Sequence, residues 1–145
     1  MIRSMLVVCV GNICRSPMAE YLLRRELEGI VVESAGLDAL TGYAADPAAI
    51  QVCAENGLDI SKHRARPLNA ALVSATDLIL TMERVHSQEI MRRHPSARGK
   101  VFRLGDVEDF DVPDPYRKAL SHFYEVYELI ARGTESWTSR IKALA

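Results

Sequence analysis

The chain has 145 residues, with 18 Lys+Arg against 19 Asp+Glu for a formal net charge of -1. At 48% hydrophobic and 26% charged it reads as one globular domain over residues 1–145, long enough for one substantial core and too short for two. This balance excludes a broadly basic nucleic-acid-binding face, and no apolar run approaches the ~20 residues of a membrane span, so neither nucleic acid nor membrane insertion is expected.

Met1 to Val10 begins like a secretory signal, with Arg3 ahead of an apolar stretch. Gly11, Asn12 and Arg15 interrupt that stretch before any cleavage site, which favours a first β-strand and a cytoplasmic protein. Met5 to Val10 is continuously apolar, as in a strand buried on both faces. Ser16-Pro17 then reads as a helix cap followed by a first-turn proline, with Ala19, Leu22, Leu23 and Leu27 at helical spacing up to Gly29. A short second strand is expected over 30–32, leading into Glu33-Ser34-Ala35-Gly36. Asp46-Pro47 opens a helix running to Asn56-Gly57.

A third strand is expected over 75–80 and a helix from Glu83 to His94, stopped by Pro95. A fourth strand follows over 101–104. Leu120, Phe123, Tyr127, Ile130, Trp137, Ile141 and Leu144 mark one long amphipathic helix, weakened in its middle by Gly133. Strands alternating with helices imply an α/β three-layer sandwich, a parallel sheet with right-handed crossovers. In such sheets, ligands bind where the carboxyl ends of strands turn into helix N-termini.

The turn after the first strand carries the unusual residues: Cys9-Val10-Gly11-Asn12-Ile13-Cys14-Arg15-Ser16. A strand-to-helix turn of this length can wrap backbone N–H groups around one tetrahedral anion at the positive end of a helix. Gly11 allows close backbone approach, and Asn12 tolerates a left-handed conformation. Arg15 can give its planar fork to two oxygens of the same anion. Cys9 at the base of the turn sits among influences that favour the thiolate, and a Ser16 hydroxyl could hydrogen-bond its sulfur. A buried strand cysteine is usually an inert packing residue. Asn12, Arg15 and Ser16 are poor core residues, however, and together they suit one phosphate. Walker-type and dinucleotide motifs are both missing.

Cleavage of a phosphate monoester also needs an acid for the leaving oxygen. In the acidic stretch from Asp106 to Tyr116, the residues Asp106, Glu108, Asp109 and Asp111 read as a solvated loop. Asp114 lies between Pro113 and Pro115, which hold its backbone stiff. It is a candidate acid, with capping of the last helix as the equal alternative. Tyr116 could form an aromatic wall for a planar substrate.

Taken together, these motifs resemble the low-molecular-weight protein tyrosine phosphatases. Val8-Cys9 to Ser16-Pro17 is similar to that family's phosphate loop, and Asp114-Pro115-Tyr116 to its acid loop. Glu33 to Gly36, Asp46-Pro47, His63 to Arg66 and Thr81-Met82-Glu83 match its landmarks in order. The resemblance implies a four-stranded parallel sheet flanked by helices on both faces. It implies Cys9 as nucleophile, Arg15 as phosphate clamp, Asp114 as general acid, and residues 10–16 (Val10, Gly11, Asn12, Ile13, Cys14, Arg15 and Ser16) around the phosphate. Asn12, Ser34 and His63 would hold the loop, with Ser16 supporting the thiolate. No metal and no other cofactor is implied.

Leu40 and Tyr116-Arg117-Lys118 look like the bacterial branch that acts on autophosphorylated tyrosine kinases of capsule and exopolysaccharide export, so a phosphotyrosyl kinase tail is the expected partner. Leu40 and Tyr116 would then wall the cleft, and Arg117-Lys118 would meet an acidic tail. Cys14, in the same loop as Cys9, is a candidate redox guard through a reversible disulfide, and Cys53 reads as core. A thiol-based arsenate reductase is an alternative, but it needs a cysteine later than Cys53 and the chain has none. A non-catalytic phosphotyrosine-binding module would lack both nucleophile and acid. His86, His94 and His122 read as surface or helix-end residues, and Arg92-Arg93 as a solvated helix face.

Overall fold

The computed structural model describes residues 1–144. Four strands, β1 (Ser4–Cys9), β2 (Val31–Gly36), β3 (Leu78–Thr81) and β4 (Val101–Arg103), form one parallel sheet in the order β2-β1-β3-β4. Five helices connect and cover them: α1 (Arg15–Glu26), α2 (Pro47–Glu55), α3 (Ala70–Ala75), α4 (Arg84–Arg93) and α5 (Leu120–Ala143). Because β1 is paired on both edges, its alternating side chains enter two separate cores. Met5, Val7 and Cys9 join Met18, Leu23, Phe123 and Ile130 on the face covered by α1, α2 and α5. Leu6 and Val8 join Val73, Ile79, Ile90 and Ala97 beneath α3 and α4. This is why the run from Met5 to Cys9 is apolar without alternation. Among the described residues no helix is long and apolar enough to cross a membrane.

Several boundaries differ from the sequence expectation, each for a local reason. Helix α1 begins at Arg15 with Cys14 as its cap residue, and no side chain caps it. Ser16 is therefore inside the first turn, and its hydroxyl is engaged elsewhere. β2 extends to Gly36, so Ser34 stands on a strand. Residues 70–75, partly assigned to the third strand, form α3 instead, capped by the Asn69 side chain accepting from Leu72 N at 2.9 Å. The last helix starts at Leu120, so Asp114 is not its cap. The Asp114 carboxylate instead accepts from Tyr116 N at 3.0 Å, closing a local turn.

Three glycines, Gly36, Gly105 (against Phe110) and Gly133, are required by close packing, and none is Gly11, whose added Cβ would make only ordinary contacts. A Cβ on Gly36 would stand 2.5 Å from the Val10 carbonyl oxygen, so this glycine lets β2 approach the loop after β1. A Cβ on Gly133 would fall 2.7 Å from Leu104 Cγ and 2.8 Å from its carbonyl oxygen. Gly133 thus seats α5 directly on the end of β4, where Trp137 Nε1 donates to Arg103 O at 3.0 Å. Gly133→Ala gains about 1 kcal/mol of helix propensity against an overpacking cost of about 1–3 kcal/mol. A net loss of up to about 2 kcal/mol is expected in urea unfolding, whereas a more stable variant would show that α5 can shift freely.

Candidate active site

The turn after β1 lies between α1 and the carboxyl ends of β2 and β3. Its central residue, Asn12, is fully buried with φ 59°, a left-handed conformation that an asparagine must be held in. The side-chain amide and the backbone carbonyl of Asn12 both have partners. The amide nitrogen donates one hydrogen to Ser16 Oγ at 2.7 Å and the other to Ser34 Oγ at 3.0 Å. Its side-chain oxygen accepts from Arg66 N at 2.9 Å, and its backbone carbonyl is 2.6 Å from His63 Nε2. A carbonyl only accepts, so Nε2 carries the proton. Asn12, Ser16, Ser34 and His63 therefore meet in one hydrogen-bonded cluster.

Hydrogen counting then fixes the direction of the next bonds. Ser34 Oγ accepts from Asn12 and donates to the buried carboxylate of Glu20, which Arg24 also pairs at 2.5 Å. Ser16 Oγ likewise accepts from Asn12, and among the described residues its one hydrogen finds no acceptor other than Cys9 Sγ at 2.9 Å. The arrangement presents an O–H donor to the sulfur, and it suits a thiolate there.

Arg15 is 1% exposed, so its charge needs fixed partners. Nη1 donates to Glu83 Oε2 at 2.6 Å and to Val112 O at 2.9 Å, and Nη2 lies 3.7 Å from Asp114 Oδ2. One edge of the guanidinium is anchored and the rest of the fork is free for an anion. Cys9, Arg15, Asp38, Leu40, Asp114 and Tyr116 all line one cleft of about 210 Å³, together with parts of the loop. The sheet order makes its walls: the segment after β2 carries Asp38 and Leu40, and the segment before α5 carries Asp114 and Tyr116. Cys14 also reaches this cleft. Its thiol is pushed well above the ordinary range, first by burial and then by Asp46 and the neighbouring Cys9. Cys53 is core, its thiol pushed up to about 12 by burial.

Glu20 carries no signal in the sequence, and Glu83 and Arg66 stand there only as family landmarks without a role. For Glu83 the further signal is position, because it follows a strand that ends at the ligand side of a parallel sheet. The acidic stretch is solvated as expected, and its exposed carboxylates are also paired. Asp109 pairs with Arg103 and with Arg84, and Asp111 accepts from Arg103 Nη1 and Arg84 N, each at 3.0 Å. Glu108 reaches Arg132 at 2.5 Å. These pairs pin the segment that brings Val112 to Arg15. Arg92 and Arg93 share Glu89, and Arg93 also donates to Leu37 O at 2.9 Å, tying α4 to the wall after β2.

His86 stands in the first turn of α4, the helix-end placement of the two expected, and it is buried. Its Nδ1 accepts from Glu83 N at 3.2 Å while Glu83 caps the same helix. Burial and the Arg15 guanidinium hold its imidazole below the usual pKa of 6.5. The folded state binds this proton less readily than the unfolded chain, so the contribution of His86 to stability is complete above pH 6.5. It falls with acidification until the folded-state value is reached. NMR titration should place the His86 midpoint below 6.5, and His86→Gln, which can keep an acceptor, should flatten the stability profile in that window. A midpoint at or above 6.5 would refute the assignment.

Residues 4–144 match the family model described as low molecular weight phosphotyrosine protein phosphatase. The chain is 57% identical over 99% of both chains to a probable low molecular weight protein-tyrosine-phosphatase, EpsP, of Ralstonia nicotianae. It is 46% identical to the low molecular weight protein-tyrosine-phosphatase Wzb of Escherichia coli K12, over 99% of this chain and 98% of the relative. The solved structure of Vibrio vulnificus Wzb in complex with benzylphosphonate superposes with a TM-score of 0.94 at 40% identity, covering 97% of this chain and 99% of that one. With the family model spanning nearly the whole chain and the fold reproduced throughout, this protein belongs to the low molecular weight protein-tyrosine phosphatases.

Proposed function

We propose that the protein hydrolyses phosphotyrosine through a phosphocysteine at Cys9. The observation that carries this reading is the Ser16 hydroxyl at 2.9 Å from Cys9 Sγ, in a cleft that also holds the fork of Arg15 and the carboxylate of Asp114. The Cys9 thiolate attacks phosphorus in line. An S–P bond forms, the P–O bond to tyrosine breaks, and Asp114 gives its proton to the departing oxygen. Water then attacks phosphorus, yields a proton to Asp114 and expels the Cys9 thiolate, which the Ser16 hydroxyl stabilises as leaving group. Arg15 takes up charge on the equatorial oxygens throughout.

In this reading residues 10–16 cradle the phosphoryl group, Asn12, Ser34 and His63 hold the cradle, and Leu40 and Tyr116 flank the tyrosine ring. The whole chain acts as one domain in the cytoplasm. Its substrate is a phosphotyrosyl protein, an autophosphorylated tyrosine kinase of polysaccharide export, a choice supported by Leu40 and by the Tyr116-Arg117-Lys118 run. Cys14 is the disulfide partner that guards an oxidised Cys9. Arsenate reduction draws no support, since the remaining cysteine, Cys53, is completely buried in the core.

Hydrolysis of p-nitrophenyl phosphate and phosphotyrosine in chelator-treated buffer, blocked by vanadate, is expected. A Cys9→Ser trap should retain a phosphotyrosyl kinase from extract. A protein that binds phosphotyrosine without turnover would overturn the enzymatic reading, and a trap that retains only other phosphoproteins would overturn the kinase assignment.

A further inference from the structure

The rim of the cleft carries charges of opposite sign on its two walls. Asp38 lines the cleft from the segment after β2, with an exposed carboxylate that makes no ion pair or hydrogen bond among the described residues. Its position is fixed, because its backbone N–H donates to Val10 O at 2.9 Å. On the other wall Arg117 and Lys118 follow Tyr116, and neither meets a carboxylate among the described residues. The Arg117 guanidinium lies 5.2 Å from the centroid of the Tyr116 ring, and its backbone is held at φ 62°. The nearby Arg15, Arg66, Arg84 and Arg103 are all paired with acids.

A lone exposed charge is ordinarily just hydrated. What distinguishes these is placement on opposite sides of one cleft, since β2 and β4 are the two edges of the sheet and the Cys9 turn lies between them. An extended chain advances about 3.3 Å per residue, so the residues within two positions of a seated phosphotyrosine pass over both rims. We propose that the rim reads the charge pattern of the substrate: the phosphotyrosyl segment crosses the cleft with a cationic residue over Asp38 and an anionic one over Arg117 and Lys118. A segment acidic on both sides meets repulsion at Asp38, and a segment basic on both sides meets it at Arg117. The inference rests on the phosphatase reading above and adds an orientation to it.

Four phosphotyrosyl peptides test this, differing only in their flanking charges: basic then acidic, acidic then basic, acidic on both sides, and basic on both sides. Each kcat/KM is divided by that of p-nitrophenyl phosphate on the same enzyme. One of the two mixed peptides should lead all others, exceeding the opposite mixed peptide by about five- to tenfold at low ionic strength, with the gap closing in high salt. The combined Asp38→Lys, Arg117→Glu and Lys118→Glu variant should exchange the order of the two mixed peptides. Asp38→Asn alone, a smaller change should the triple variant fold poorly, should narrow the gap about twofold or more. Equal rates for the two mixed peptides, a lead for the doubly acidic peptide, or an unchanged order in the variants would overturn the inference while leaving the phosphatase reading standing. Turnover of no peptide and no aryl phosphate would instead overturn that reading.

Discussion

Replacing Cys9 with serine is expected to lower turnover by about 10⁴-fold or more, with phosphate affinity changed only slightly. The separation follows from the geometry. Anion binding draws on the Arg15 fork and the turn, which Arg15 holds through Glu83 and Val112 and which Asn12 holds through four polar contacts. None of these bonds involves the sulfur. A serine hydroxyl keeps a donor or acceptor for Ser16 but is a far weaker nucleophile than a thiolate. Turnover by stopped assay and phosphate binding by calorimetry should therefore diverge. If both fall together, Cys9 is part of the scaffold of the turn, and the division of labour drawn here is wrong.

The second large effect belongs to Asp114. Asp114→Asn should lower kcat for phosphotyrosine by about 10²–10³-fold, within the usual contribution of a positioned acid. The loss should be much smaller for p-nitrophenyl phosphate, whose leaving oxygen needs little protonation. The Asp114 side chain is 48% exposed and its contact with Arg15 is 3.7 Å, so its removal should change stability by only about 0.5 kcal/mol. A large kinetic effect beside a small thermodynamic one would mark chemistry and not folding. Equal losses for both substrates would show that Asp114 orients Arg15 and does not transfer a proton.

The sheet and the Cys9 turn were legible because their signals are local. The unbroken apolar run into Cys9 marks a doubly covered strand, and Asn12, Arg15 and Ser16 are too polar to be explained as packing. The proposed acid was half legible: flanking prolines singled out Asp114, but only the start of α5 at Leu120 removed its competing role as a helix cap. What stayed hidden depends on distant partners. Glu83 is separated from Arg15 by 68 residues, and no periodicity or spacing reports that contact. Gly36 stood beyond the strand expected over 30–32 and Gly133 looked like a helix flaw, whereas each is the place where another backbone or side chain comes too close for a Cβ. His63 was placed only through the family resemblance, since a lone loop histidine carries no sign that its ring reaches the carbonyl of Asn12.

The central claim is that Cys9 becomes phosphorylated during the reaction. Acid quench in the first milliseconds of turnover, followed by peptide mapping by mass spectrometry, reads this directly. The account predicts a phosphoryl group on Cys9 approaching one per molecule, accumulating further in Asp114→Asn, where the water of the second step loses its base, and missing in Cys9→Ser. Full-rate hydrolysis with no phosphorylated Cys9, or with the phosphoryl group on another residue, would contradict it.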